Sequence, residues 1–292
     1  MKAHLLIDRK CLLGESATWC ATSGVFYWTD IDGERLWRYD PSDESSVSFD
    51  MPERLACFAL CADPDVLLLG LASRLAFFSL ETGAIETIMP VEEGLPTRIN
   101  DGKCDRDGRF VFGTKREVPE AGAVAGFYRL NADLSLERLP LGNCEISNSI
   151  AFSPDGSRMY YCDSLKREIR VCDYESFENQ RVFVQLSDAT GLPDGSAVDS
   201  DGGLWNAQWG GSRVVRYSPD GVETERVDVP TAQPSCVAFG GAKLGTLYIT
   251  SARAELDADA LQRDGLAGGV FIATPAARGI AEPVFRGTAR FA

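Results

Sequence analysis

The chain has one histidine, His4, in 292 residues. It sits in an N-terminal apolar stretch, away from every other polar cluster, and reads as structural. Neither a Ser-His-Asp or Cys-His nucleophile nor a multi-histidine zinc site can therefore be assembled. The patterns G-x-S-x-G and G-x-G-x-x-G and the phosphate-binding P-loop are absent. Basic residues are scarce, with 29 Lys and Arg against 43 Asp and Glu and a net charge of −14. That balance argues against a nucleic-acid partner, which needs a basic footprint, and against an anionic membrane surface. The longest apolar run, Val66 to Ala72, is too short to span a bilayer. The first ten residues contain only three consecutive apolar side chains, far short of a signal segment. The nine cysteines are odd in number, scattered, and contain no C-x-x-C pair. They read as small core hydrophobes in a reducing, cytoplasmic setting. If the protein is an enzyme, carboxylates or a metal held by oxygen ligands must carry its chemistry. A neutral small molecule or a cation is the expected ligand.

What is present is a repeat. The segment Asn148-Ser-Ile-Ala-Phe-Ser-Pro-Asp-Gly-Ser-Arg-Met-Tyr-Tyr recurs as Asp194-Gly-Ser-Ala-Val-Asp-Ser-Asp-Gly-Gly-Leu-Trp. The same alignment places Glu15, Ala56, Asn100 and Ser235 in the leading position, with spacings of 41, 44, 48, 46 and 41 residues. Short strands repeating at this period are the signature of a propeller blade. Each unit reads strand, polar turn, strand, loop, strand, with β-branched and aromatic residues in the strands and Asp-Gly pairs in the turns. Helical periodicity shows only weakly, over residues 254–261. The expectation is an all-β chain forming one six-bladed propeller over residues 1–292.

Several details follow from that architecture. Leu5-Leu-Ile7 precedes the first slot and is expected to form the outer strand of the last blade, closing the ring and removing a free edge. Strand alternation puts the loops after each second strand on the slot face: residues 30–33, 115–125, 163–166, 209–212 and the insertion after Ser251. Trp205 is expected in a blade core and Trp209 on the slot face, where it can stack on a sugar ring. Glu255, Asp257, Asp259 and Asp264 of the insertion read as a solvated surface with Arg253 and Arg263 as partners.

Equivalent slots converge on the ring axis. Glu15, Asn148 and Asp194 would there offer two carboxylates and an amide oxygen, the donors that hard divalent cations prefer. Without a cation the carboxylates would repel and one would take up a proton. The bland alternative is that Asn and Asp at such positions only cap turns. Arg98 lies two residues before Asn100, so in an extended strand both point into the same space. There the guanidinium can hold substrate oxygens or steady developing negative charge, or it can simply pair with a neighbouring blade.

Leu13-Gly-Glu15-Ser, Arg98-Ile-Asn100-Asp-Gly-Lys, Ser147-Asn148 and Pro193-Asp194-Gly together resemble the senescence-marker-protein/gluconolactonase family, which includes regucalcin. The likeness runs from about residue 10 to about residue 275, and the family's fold is a six-bladed propeller. The resemblance implies that Glu15, Asn148 and Asp194 bind one divalent metal, whether calcium, zinc, manganese or ferrous iron. It also implies that Asp194 serves as general base and that Arg98, Asn100 and Glu117 contact the substrate. The implied activity is metal-dependent hydrolysis of a sugar aldonolactone, the stretch 166–168 and the insertion before Gly268 looking closest to bacterial sugar-lactone hydrolases. A metal-binding propeller without turnover is the alternative.

Overall fold

A computed structural model describes residues 1–187, 189 and 191–291. The strands form six four-stranded antiparallel sheets arranged as the blades of a propeller. The innermost strands are Gly14–Cys20, Leu55–Leu60, Thr97–Cys104, Ser147–Phe152, Leu192–Val198 and Pro234–Gly240. Each packs beside the next, and the last returns to the first. The sixth sheet combines Pro234–Gly240, Thr246–Ser251 and Val270–Ala273 with His4–Ile7. Leu5 pairs with Phe271. The two ends of the sequence thus close the ring, as the apolar triplet before the first slot predicts.

Burial explains the strand sequences. Inner and second strands are covered on both faces by adjoining blades, so Leu55–Leu60 and Val66–Leu71 are buried throughout and read as unbroken apolar runs. The outermost strand Ser45–Asp50 alternates half-buried and exposed positions, because only one face meets a neighbour. The core lies between blades. Phe26 of the first blade stacks on Tyr248 of the sixth at 4.5 Å. Tyr27 meets Phe58 of the second blade edge-on at 6.1 Å. Trp205 of the fifth does the same with Phe239 of the sixth at 5.6 Å. Each such ring, fully buried, stabilises the fold by about 1.5–3 kcal/mol. All nine cysteines are free thiols, and only Cys20 is not fully buried.

Two features depart from the sequence reading. The insertion carries a one-and-a-half-turn helix, Ala258–Arg263, whose amino end is capped by Asp257 accepting from the Ala260 amide. It begins four residues after the weak periodicity suggests. The chain beyond Ala273 is also a structural element. It runs under the face opposite the slots and hydrogen-bonds to the Leu60 carbonyl from Phe285, to the Gly108 carbonyl from Arg286, and to the Leu244 carbonyl from Gly279. Phe285 is completely buried within the cluster between blades two and three. Glu282 on the same segment meets Lys103 at 3.2 Å, and that ammonium also reaches the Ser196 carbonyl at 3.2 Å. Residues past the last blade therefore tie four blades together from below. Among the described residues no helix is long and apolar enough to cross a membrane.

Candidate active site

Every inner strand breaks register at or just after its slot: between Glu15 and Thr18, Leu55 and Cys57, Ile99 and Gly102, Asn148 and Ala151, Pro193 and Ser196, and Pro234 and Val237. Bulges of this kind bend a strand and re-aim a side chain. Ser16 and Ser149, each just after a slot, take left-handed backbone conformations with φ of 51° and 60°. Close approach of the strands adds a second constraint. A Cβ at Gly14 would lie 2.6 Å from the Ser251 carbonyl oxygen, and one at Gly195 would lie 2.8 Å from the Cys236 Cα. Glycine beside Glu15 lets the first blade approach the second strand of the sixth, and glycine beside Asp194 lets the fifth approach the sixth's inner strand.

The result is a pocket of about 600 Å³ on the slot face. Glu15, Asn100, Asn148 and Asp194 all line it, together with Arg98 and Glu117. Ala56 and Ser235, the slots without a metal-binding side chain, do not. Ser235 is buried and turns to the Gly14 carbonyl and the Thr250 hydroxyl, pinning the first blade to the sixth. All five loops assigned to the slot face contribute to the wall, through Ile31 and Asp32, Lys115 to Glu117, Ser164 and Leu165, Trp209, and Ala254 and Glu255.

The polar groups in the pocket form a connected network. Arg98 donates from Nη1 to the Asn100 Oδ1 at 2.9 Å and to the Ile99 carbonyl at 2.7 Å. Asn100 Nδ2 donates to Asn148 Oδ1 at 3.1 Å and to the Ser147 carbonyl at 2.8 Å. Asn148 Nδ2 donates to Ser164 Oγ at 2.9 Å, and that hydroxyl passes on to the Pro193 carbonyl at 2.8 Å. Two residues absent from the sequence reading hold Asp194. Asn206 Nδ2 and Ser149 Oγ both donate to the Asp194 carbonyl, at 2.8 and 2.6 Å. Asn206 shares the strand Leu204–Trp209 with Gln208, so no local sequence signal singles it out.

Electrostatics set this site apart. Burial pushes the Glu15 carboxyl up to about 8, with the nearby Asp101 adding to the effect. Asp194 is raised well above the usual carboxylate range by burial and then by Glu15. With burial and the charge of Glu15 both acting on Asp194, the protonated form of this carboxyl is favoured. Burial, then the neighbouring Arg54, lowers the Arg98 guanidinium to about 10. Lys115 is lowered by burial and by Arg98, against the pull of Asp194 and Glu255.

A divalent cation fits these donors. Two buried carboxylates beside an amide oxygen are a hard, all-oxygen set whose repulsion a cation relieves. Among the described residues no group of three His, Cys, Asp or Glu side chains comes together, so the amide of Asn148 would have to be the third protein ligand.

Some placements differ from the sequence reading. Glu117 lines the pocket but is ion-paired with Arg54 at 2.6 Å. Glu255 lines the pocket as well, and Asp264 accepts from Thr231 Oγ1 and the Ala232 amide rather than facing solvent alone. Among the described residues Arg253 and Arg263 are not their ion-pair partners; Asp257 and Asp264 instead accept from the backbone amides of Ala260 and Ala232. Trp205 is wholly buried in the blade core and Trp209 stands at the pocket.

Comparison with known proteins agrees with the fold and extends it. Residues 13–253 match the family model described as SMP-30/Gluconolactonase/LRE-like region. The chain is 59% identical to the L-arabinolactonase of Azospirillum brasilense, with 99% of this chain and 97% of the relative covered. It is 33% identical to the pentonolactonase XacC of Haloferax volcanii, covering 99% of each. The crystal structure of a calcium-binding regucalcin from Agrobacterium tumefaciens superposes with a TM-score of 0.92 at 28% identity, covering 98% of this chain and 97% of that one.

Proposed function

The chain belongs to the SMP-30/gluconolactonase/LRE-like family, and we propose that it hydrolyses a sugar aldonolactone to the aldonic acid. The observation that carries this reading is the convergence of Glu15, Asn148 and Asp194 with Arg98 and Asn100 in one axial pocket. Near-full-length similarity to an L-arabinolactonase and a pentonolactonase makes a five-carbon lactone the first substrate to try. A neutral sugar lactone also suits a chain of net charge −14.

Glu15, Asn148 and Asp194 would hold one divalent metal ion: calcium, zinc, manganese or ferrous iron. When bound, such an ion supplies Lewis acidity toward the lactone carbonyl. Asp194 takes the proton from the attacking water, acting as general base. Arg98 and Asn100, locked to each other and to Asn148, orient the sugar hydroxyls so that the reacting carbon faces that water. Glu117, steadied by Arg54, accepts from a hydroxyl further out, and Trp209 offers a ring face to the sugar. The reaction needs no protein or nucleic-acid partner and no membrane, and we place it in the cytoplasm.

The test is acidification of weakly buffered solution on adding sugar lactones, with and without chelator. Proton release above the spontaneous rate, lost with chelator and restored by one divalent metal, is the expected result. A second reading, divalent-metal binding without turnover, is favoured by the likeness to a calcium-binding regucalcin. Tight metal binding with no acidification by any lactone would select it.

A further inference from the structure

Four cations line the pocket: Arg54, Arg98, Lys115 and Arg116. Arg54 is paired with Glu117 and Arg116 with Glu145, both at 2.6 Å. Arg98 is tied to Asn100 and already has a part in orienting the sugar. That leaves Lys115. Among the described residues no carboxylate lies within ion-pair distance of its ammonium and no side-chain or carbonyl acceptor bonds it. An ammonium held in a pocket without a partner is costly unless something arrives to use it.

Its position is fixed by the sheet. Lys115 stands directly across from Arg98 in the antiparallel pair of the third blade, so their side chains emerge on the same face. Its backbone also bridges to Ile146 at the entry to the fourth blade. Asp194 lies near enough to act on its charge, as does Glu255 from the insertion. The ammonium thus shares the pocket with the residue that deprotonates water, but bonds neither it nor any ligand candidate.

Lactone hydrolysis requires a proton donor for the leaving oxygen. Once water has added, the bond from the carbonyl carbon to the ring oxygen breaks and the electron pair goes to that oxygen. A sugar alkoxide is a poor leaving group and must be protonated as it departs. No group assigned so far can do this, because Asp194 is occupied with the proton of the attacking water. We propose that Lys115 is a further catalytic residue, whose ammonium holds the charge developing on the ring oxygen and delivers a proton to it.

The balance closes. Water gives its hydroxyl to the carbonyl carbon and a proton to Asp194; the ring oxygen becomes a free hydroxyl with the proton from Lys115. Asp194 then releases its proton to solvent, and the neutral amine of Lys115 takes one up. One water is consumed, and the acid formed ionises. The lowered proton affinity of Lys115 brings it closer to the working pH, which favours an acid role.

The inference rests on the lactonase reading, and the experiment separates the two. Wild-type and Lys115→Met proteins, metal-loaded, are assayed with L-arabinonolactone over the spontaneous rate. We expect kcat to fall about 10²-fold, the usual scale for a lost general acid. KM should move less than about threefold, since the interaction belongs to the transition state. In Lys115→Ala, added ethylammonium should restore rate in proportion to its concentration, whereas tetramethylammonium, which has charge but no proton, should not. An unchanged kcat, a change confined to KM, a fall that ethylammonium does not rescue, or equal rescue by both ions would each overturn the proposal. Wild-type protein inert toward every aldonolactone would instead overturn the lactonase reading itself.

Discussion

The propeller has two faces built from the same repeat, and they treat buried carboxylates in opposite ways. Five residues after the slots Asn100 and Asp194 stand Asp105 and Asp199, at the far ends of the same inner strands. Both are fully buried. Asp199 accepts from the Asp201 and Gly203 amides, from Trp205 Nε1 at 2.8 Å and from Arg216 Nε at 2.6 Å. Asp105 accepts from the Asp107 and Arg109 amides, from Arg109 Nε at 2.6 Å and from Tyr174 Oη at 2.8 Å. Each of these two carboxylates thus accepts from four donors. At the slot face the Glu15 carboxyl accepts one amide, from Ser16, and burial raises both Glu15 and Asp194. The far face spends its donors on its acids and the tail seals it. The pocket withholds donors, which leaves oxygen atoms free for something not supplied by the chain.

That contrast makes the sharpest prediction at Asp194. Asp194→Ala should lower kcat for aldonolactones by roughly 10²–10⁴-fold, the range for a lost general base. Its melting temperature in metal-free form should not fall, because a buried carboxyl with no satisfying donors has been removed. Near-normal turnover would remove Asp194 from the mechanism.

At Asp199 the outcome should reverse. Asp199→Ala leaves the buried Trp205 indole N–H without its acceptor and removes the carboxylate partner of the part-buried Arg216 guanidinium. It should cost about 3–5 kcal/mol by denaturant unfolding, the scale for breaking a buried pair from one side. The kcat of the folded fraction should stay near wild type. If turnover fell as far as in Asp194→Ala, the two faces would not be functionally separate.

A pH series tests the same idea without mutation. Glu15 titrates near 8 in the folded protein against about 4.5 when unfolded. Between those values the native state holds a proton that the unfolded state has lost, so stability should decline as pH rises from about 5 to about 8. Asp194, raised for the same reasons, acts in the same direction. The chelator-treated protein should show this decline in melting temperature, and a saturating divalent metal should abolish it. A flat profile in the metal-free protein would mean that neither carboxyl is raised.

The sequence carried much of this, for a physical reason. Blade strands must be apolar where neighbouring blades cover both faces, and Asp-Gly turns must recur where inner strands end. The period was therefore visible, and with it the convergence of Glu15, Asn100, Asn148 and Asp194. Arg98 could be placed beside Asn100 because strand geometry fixes i and i+2. Contacts between distant segments left no such trace. Nothing local marks Asn206 as the clamp on the Asp194 carbonyl, or Glu282 as the partner of Lys103. The tail's role was missed because irregular chain has no periodicity to read. The insertion was read as a solvated surface, and Glu255, Asp257 and Asp259 are indeed exposed, Glu255 at the pocket wall.

The smallest effect is expected at the rim, where the two kinds of behaviour meet. Arg54 and Glu117 are paired at 2.6 Å, but each side chain keeps about a third of its surface exposed. An ion pair so open to water contributes about 0–1 kcal/mol to stability. Arg54→Ala should therefore leave the unfolding midpoint almost unchanged. It should free Glu117 to swing, and the loss of a positioned acceptor for a substrate hydroxyl should appear as a rise in KM of about tenfold or less, with kcat nearly constant, as for an interaction equal in ground and transition states. Glu117→Gln, which keeps the shape but weakens the pairing, should fall between the two. If Arg54→Ala instead destabilises the fold and spares KM, the pair belongs with Asp199 and the far face, and Glu117 is a strut.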